Sequence, residues 1–181
     1  KKPARLYSRD RVLNDDELRL LYRHVRQTRN LFHDLVALLI LTGQRKSEIG
    51  NLRCEEVDQG NLVLSGERTK NHRAHALPLS MTALAIIKTR EGASPYVFPG
   101  RDVSRPFNGF RRAKGNLDKE LGIDHFTLHD LRRTFSSNMA RLGIPIHVTE
   151  KMLSRQSGSF GGVAGVYNRH GYMAEMQAAM E

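Results

Sequence analysis

The stretch HDLRRTF, residues 129–135, pairs a histidine with an arginine three positions on, inside a strong helix pattern. Thr127 stands where an N-cap hydroxyl is wanted, and Asp130 sits where a capping-box acid reaches back. Leu128, Leu131, Phe135, Met139 and Leu142 recur at helical spacing and predict one core stripe. At about 100° per residue, His129, Arg132 and Ser136 fall together on one flank of that stripe, while Arg133 points elsewhere. The helix therefore buries one face and offers an imidazole and a guanidinium at its edge. A guanidinium is a fixed fork of donors matched to phosphate oxygens, and a histidine beside it can hydrogen-bond or move a proton. A plain solvated flank would carry the same residue types, so the rest of the chain has to decide between the two.

Working outward, Gly143 stops this helix and Pro145 opens a shorter one with Val148, Met152 and Leu153. Residues 157–165 are rich in glycine and serine and are expected to form a loop, with Tyr167 just after it. Tyr172 to Met180 reads as a last helix. Upstream, Asn14 with Glu17 marks a helix start whose buried face is Leu18, Leu21, Tyr22 and Val25. Asn30 caps a helix that is apolar almost all round, which predicts a central position ending at Thr42-Gly43. A short helix follows over 44–52. Leu62 to Leu64, Glu67 to Lys70 and His75 to Leu79 read as three strands, with Asn71-His72-Arg73 the turn between the last two. Ser80 starts a helix to about Arg90, residues 95–100 are extended, and Phe107, Phe110, Leu117 and Leu121 mark one more helix. The expected fold class is α+β, predominantly helical, with a small antiparallel sheet. Lys1 to Arg11 reads as the end of a linker and residues 12–181 as one domain.

The 181 residues carry a net charge of +10, with a pI near 10.2, spread along the chain. A folded basic domain points to a polyanionic partner, nucleic acid first. A single cysteine, Cys54, allows no internal disulfide and fits a reducing cytoplasm. The longest apolar run, Leu35 to Leu41, is a buried helix rather than a membrane span. The chain starts at Lys1 without a methionine, and it is expected to be a fragment of a longer protein.

Metal-site spacings such as C-x-x-C and H-E-x-x-H do not occur, and neither do G-x-G-x-x-G, the Walker loop or G-x-S-x-G. The remaining chemistry is basic side chains at turns and helix starts, a His-Arg pair, and a tyrosine after a loop. These suit attack on a phosphodiester: cations stabilise the developing phosphorane charge, and a tyrosine hydroxyl stores the bond as an ester.

Four segments, TGQRKSEIGNL, ERTKNHRAHALPLS, HDLRRTF and GVYNRH, occur in an order that resembles the catalytic domain of tyrosine recombinases of the phage and prophage integrase type. The resemblance covers nearly the whole chain. It implies a phosphate-gripping role for Arg45, with Glu48 supporting it, and the role of general acid for Lys70. His129 and Arg132 match the second clamp pair, and Tyr167 matches the nucleophile. Lys88 and Lys114 stand by comparison as ordinary solvated lysines, and Tyr172 as a packing residue. Arg155 departs from the pattern. It occupies the place of a second histidine, sometimes tryptophan, and an arginine there can donate hydrogen bonds but cannot shuttle a proton near neutral pH.

The resemblance further implies cleavage and rejoining of duplex DNA at attachment sites through a 3′-phosphotyrosine, with no cofactor and no metal. Lys46, Arg73 and Arg133 are expected to touch DNA. A homotetramer on DNA is expected, with residues 172–181 as the segment exchanged between neighbours, and no membrane association. The N-terminal DNA-binding domains of full-length members have no counterpart in this chain. A cytoplasmic, nucleoid-associated protein of bacterial or phage origin fits. Alternatives are a DNA-binding domain with impaired catalysis, toward which Arg155 points, and relaxation of DNA of the type IB topoisomerase kind. An RNA-binding domain lacks its aromatic sheet signature.

Overall fold

The computed structural model describes residues 10–90, 92–155 and 171–181. Among these, eight α-helices surround a three-stranded antiparallel sheet. The helices are α1 (Asp15–Thr28), α2 (Leu31–Thr42), α3 (Lys46–Gly50), α4 (Met81–Lys88), α5 (Phe110–Leu121), α6 (Leu128–Arg141), α7 (Ile146–Met152) and α8 (Met173–Met180). The strands are β1 (Val57–Asp58), β2 (Asn61–Leu64) and β3 (His75–Pro78), in that order across the sheet.

Helix α2 is the centre. Leu35, Val36, Ala37 and Leu38 are inaccessible to solvent, and the helix touches α1, α3, α4 and α6. Asn30 Oδ1 starts it by accepting the His33 N–H at 2.8 Å. Gly43 ends it in the left-handed conformation, φ 63°. Any side chain on Gly43 would meet the Phe135 ring at 2.5 Å, so α2 and α6 cross closely there. Asp34, fully buried in α2, is paired with Arg26 and Arg90. A buried carboxylate without such partners would cost several kcal/mol, on the order of 3–5.

Helix α1 has the expected capping box: Asn14 Oδ1 accepts the Glu17 N–H, and the Glu17 carboxylate accepts the Asn14 N–H, both at 2.9 Å. At α6, Asp130 Oδ2 accepts the Thr127 N–H at 2.7 Å and the Thr127 hydroxyl at 2.8 Å. Leu128, Leu131 and Phe135 are buried as the spacing predicts. Leu142 is not: it is 70% exposed, because it caps α6 beyond the last turn, and the core stripe ends at Met139.

The sheet differs from the sequence pattern at one strand. Glu67 to Lys70 forms no strand. Gly66–Arg68 is a 3-10 turn, drawn back by Arg68 Nε to Glu56 Oε1 at 2.6 Å and Arg68 Nη2 to the Asn51 carbonyl at 2.8 Å. The Thr69 hydroxyl donates to the Arg73 carbonyl at 2.7 Å and accepts the Arg73 N–H. Side chains therefore hold the β2–β3 connection where a ladder was expected. The third strand is instead β1, joined to β2 through Gln59-Gly60. Both residues have positive φ (45° and 81°), as a tight hairpin with right-handed strand twist requires. In β2, Leu62 and Leu64 face the core and Val63 faces solvent.

Helix α5 begins at Phe110, and Phe107 precedes it. The rings of Phe107 and Phe110 lie edge to face at 5.0 Å, and Phe32 of α2 is 5.9 Å from Phe107. Helix α8 packs on β3 and α7 with Met176 and Met180 buried. The Tyr172 ring lies 5.0 Å from that of His147, as its expected packing role requires. No helix among the described residues is long and apolar enough to cross a membrane.

Candidate active site

Three crossings of the chain meet at the C-terminal end of α2. Arg45 is the N-cap of α3, two residues beyond Gly43. Glu48, 2% exposed, accepts the Arg45 backbone N–H at 2.9 Å and its Nη1 at 2.7 Å. A single carboxylate thus caps the helix and holds the guanidinium.

Arg132 comes in from α6 and is 3% exposed, deeper than a helix flank suggests. Its Nη1 donates to the Gly43 carbonyl at 3.1 Å and its Nη2 to the Leu153 carbonyl at the end of α7. Among the described residues, two of its five N–H donors are used in this way. Burial is the first cause, and the Arg45 charge the second, of a pKa pushed down to about 10. The Arg155 charge acts in the same direction, and only Glu48 opposes. At neutral pH the arginine remains charged.

His129 stands exposed one turn before Arg132, and its pKa is lowered by partial burial and by Arg133, Arg132 and Arg155. Arg155 is exposed just past α7, with Nη1 3.4 Å from the Ser136 hydroxyl of α6. Lys70 lies in the turn of the β2–β3 connection. Arg45, Lys46, Lys70 and His129 together line one open groove of about 760 Å³. Arg73 and Arg133 lie outside that lining, and Arg133 is tied to the buried Asp130. Tyr167 lies outside the described residues, as do the loop over 157–165 and most of the expected linker end.

Several residues in and behind the groove have roles that the sequence reasoning did not assign. Lys114 is not a solvated lysine: its ammonium sits 3.8 Å over the Phe126 ring and pairs with Asp118, and it lines the groove with Arg111. Behind the arginines lies a buried polar relay. Gln44 Nε2 donates to the Thr42 carbonyl at 2.9 Å and to the Met152 carbonyl at 2.8 Å, so its Oε1 faces His75 Nε2 at 3.1 Å. His75 is held neutral, with a pKa near 4, chiefly by burial. The position of Gln44 in TGQRKSEI and of His75 in RAHALPLS was the available signal. Neither residue type announces a buried relay without the fold.

Helices around a small antiparallel sheet, with two arginines brought together at the end of the central helix, define the fold of tyrosine-recombinase catalytic domains. The fold superimposes on the crystal structure of XerA recombinase with a TM-score of 0.66, at 21% identity over 81% of this chain and 56% of that one. It also superimposes on lambda integrase in a tetramer bound to a Holliday junction, with a TM-score of 0.65, at 17% identity over 87% of this chain and 47% of that one. Residues 11–167 match the phage integrase family, and the chain belongs to that family. Prophage integrase IntZ of Escherichia coli K12 is 30% identical over 153 residues, covering 81% of this chain and 37% of the relative. The chain spans about a third to a half of the length of the curated relatives it matches.

Proposed function

We propose that this chain is the DNA-cleaving domain of a site-specific tyrosine recombinase that integrates or excises a mobile element. The observation that carries the reading is a surplus of positive charge at one point. Arg45 and Arg155 both act on the buried Arg132, opposed by a single carboxylate, Glu48, beside an open groove lined by Arg45, Lys70 and His129. Like charges held together at this cost are relieved by an anion, and a phosphodiester supplies one with the right fork geometry.

Arg45 and Arg132 hold the nonbridging oxygens of the scissile phosphate, and Arg155 adds a donor where a histidine is usual. His129 hydrogen-bonds the phosphate or moves a proton. The Tyr167 hydroxyl oxygen attacks phosphorus as its proton passes to His129. The bond to the 5′-oxygen breaks, and Lys70 gives that oxygen its proton. The resulting 3′-phosphotyrosine is reversed by a 5′-hydroxyl of a partner strand, which regenerates the tyrosine. Lys46, Arg73 and Arg133 contact the DNA backbone. Assembly as a homotetramer on two DNA sites, with exchange of residues 172–181, completes the proposal, which the lambda integrase tetramer on a junction supports by likeness of fold.

The test is covalent trapping on a nicked duplex carrying the element's attachment site, in EDTA, with Tyr167→Phe as control. A protein–DNA adduct lost only in the control is the expected result. Binding without any adduct would overturn the catalytic reading and favour a DNA-binding domain whose site Arg155 has impaired.

A further inference from the structure

Away from the groove, three side chains from three helices converge. His24 of α1, His33 of α2 and Glu120 of α5 place one ligand atom each within 4.8 Å of one another, the one such group among the described residues. His24 Nε2 is 2.8 Å from Glu120 Oε2, and His33 Nε2 is 3.9 Å from the same oxygen. At metal–ligand bonds of about 2.0–2.2 Å, tetrahedral ligand atoms stand roughly 3.3–3.5 Å apart, so these two separations need change by only about half an ångström to suit an ion.

The second observation is which atom of His33 carries the proton. The Thr28 hydroxyl lies 2.8 Å from the His24 carbonyl, which can only accept, so the hydroxyl proton goes there. Thr28 Oγ1 must then accept from His33 Nδ1, 2.6 Å away. The Nδ1–H tautomer is thereby selected, and Nε2 turns a bare lone pair toward a carboxylate oxygen. That oxygen also lies 2.8 Å from His24 Nε2, and a cation taking the place of the proton between them would meet the His33 lone pair as a third ligand. Metal-binding histidines are held in this manner, with the far ring nitrogen donating to an oxygen of the protein.

We propose that His24, His33 and Glu120 bind a divalent transition-metal ion, zinc foremost, which staples α5 to the α1–α2 hairpin. Two imidazoles and a carboxylate suit that class of ion, and the exposed side of Glu120 leaves room for water as a fourth ligand. The role is structural. The groove draws on Phe110, Arg111 and Lys114 at the other end of α5, so the ion fixes that helix from its far end.

The experiment is calorimetric titration of the chelator-treated chain with zinc chloride, with cobalt(II) absorbance as a second readout of tetrahedral or five-fold ligation. One equivalent is expected to bind, and about a hundredfold excess over Kd should raise Tm by about 5–10 °C. His24→Gln and Glu120→Gln, both at solvent-reached positions, should each weaken binding by about tenfold or more. Thr28→Val should weaken it by about 10–100-fold through loss of the tautomer lock. Absence of a tight equivalent would overturn the proposal. So would binding that Glu120→Gln leaves unchanged, since the ion would then sit on other histidines. Circular dichroism of each variant separates lost binding from lost folding.

Discussion

Acidification should loosen this domain through His75, and the size of the effect can be worked out. The side chain is 6% exposed and its pKa is held near 4, against an ordinary value near 6.5. The folded state therefore binds fewer protons than the unfolded chain between those values, and stability falls as pH falls through that window. The full difference of about 2.5 pH units corresponds to about 3 kcal/mol, lost by the time the pH is below 4. Between pH 7 and pH 5 the share is about 2 kcal/mol. His33 and His129 are shifted in the same direction, so the wild-type slope contains their parts too. Urea unfolding of wild type and His75→Gln at pH 7, 6 and 5 isolates the His75 part as the difference between the two slopes. The variant should be less stable at pH 7, but its stability should fall by about 2 kcal/mol less on going to pH 5. Parallel pH profiles would refute the reasoning, because the relay through Gln44 to the Met152 carbonyl would then not depend on a neutral imidazole.

Gly43→Ala places a Cβ against Phe135 and Leu153 at a positive φ, and should cost about 1–3 kcal/mol. Tm should fall by several degrees and cleavage should be lost with it, because the Gly43 carbonyl positions Arg132; an unchanged melting curve would contradict the packing described. Low-millimolar sulfate should raise the Tm of wild type and do so much less in Arg45→Gln, as scanning fluorimetry would report; equal shifts would mean that the anion binds elsewhere. Arg155→His should change the rate of adduct formation by less than about tenfold, whereas Arg155→Ala should slow it by more. A large gain in Arg155→His would mark Arg155 as a defect rather than a substitute donor.

Local signals were the most legible part of this chain. Asn14, Asn30, Ser80 and Thr127 each declared a helix start, because a cap is a short-range contact written within four residues. The all-apolar run of α2 declared the centre. The strand at Glu67 to Lys70 was misread because Arg68 is recruited by Glu56, twelve residues away, and periodicity does not register such a contact. The Gln59-Gly60 hairpin was passed over because its first strand has only two residues. At the site, residue identities were readable from four short segments, but depth was not. Arg132 and Arg45 carry the same charge, yet one is nearly sealed off and the other half-buried, a difference set by the crossing of α2, α6 and α7.

The guanidinium of Arg132 is hydrogen-bonded to carbonyls 89 residues before it and 21 residues after it. It behaves as a knot in which three distant lengths of string are tied. What lies between the tied points, such as the connection over 65–74 or the stretch over 92–108, can lengthen or shorten without the knot slipping. The same knot leaves no graded way to weaken the site, because a change at Arg132 loosens the architecture and the chemistry together. Variation in this chain should therefore accumulate in its outline and spare this junction.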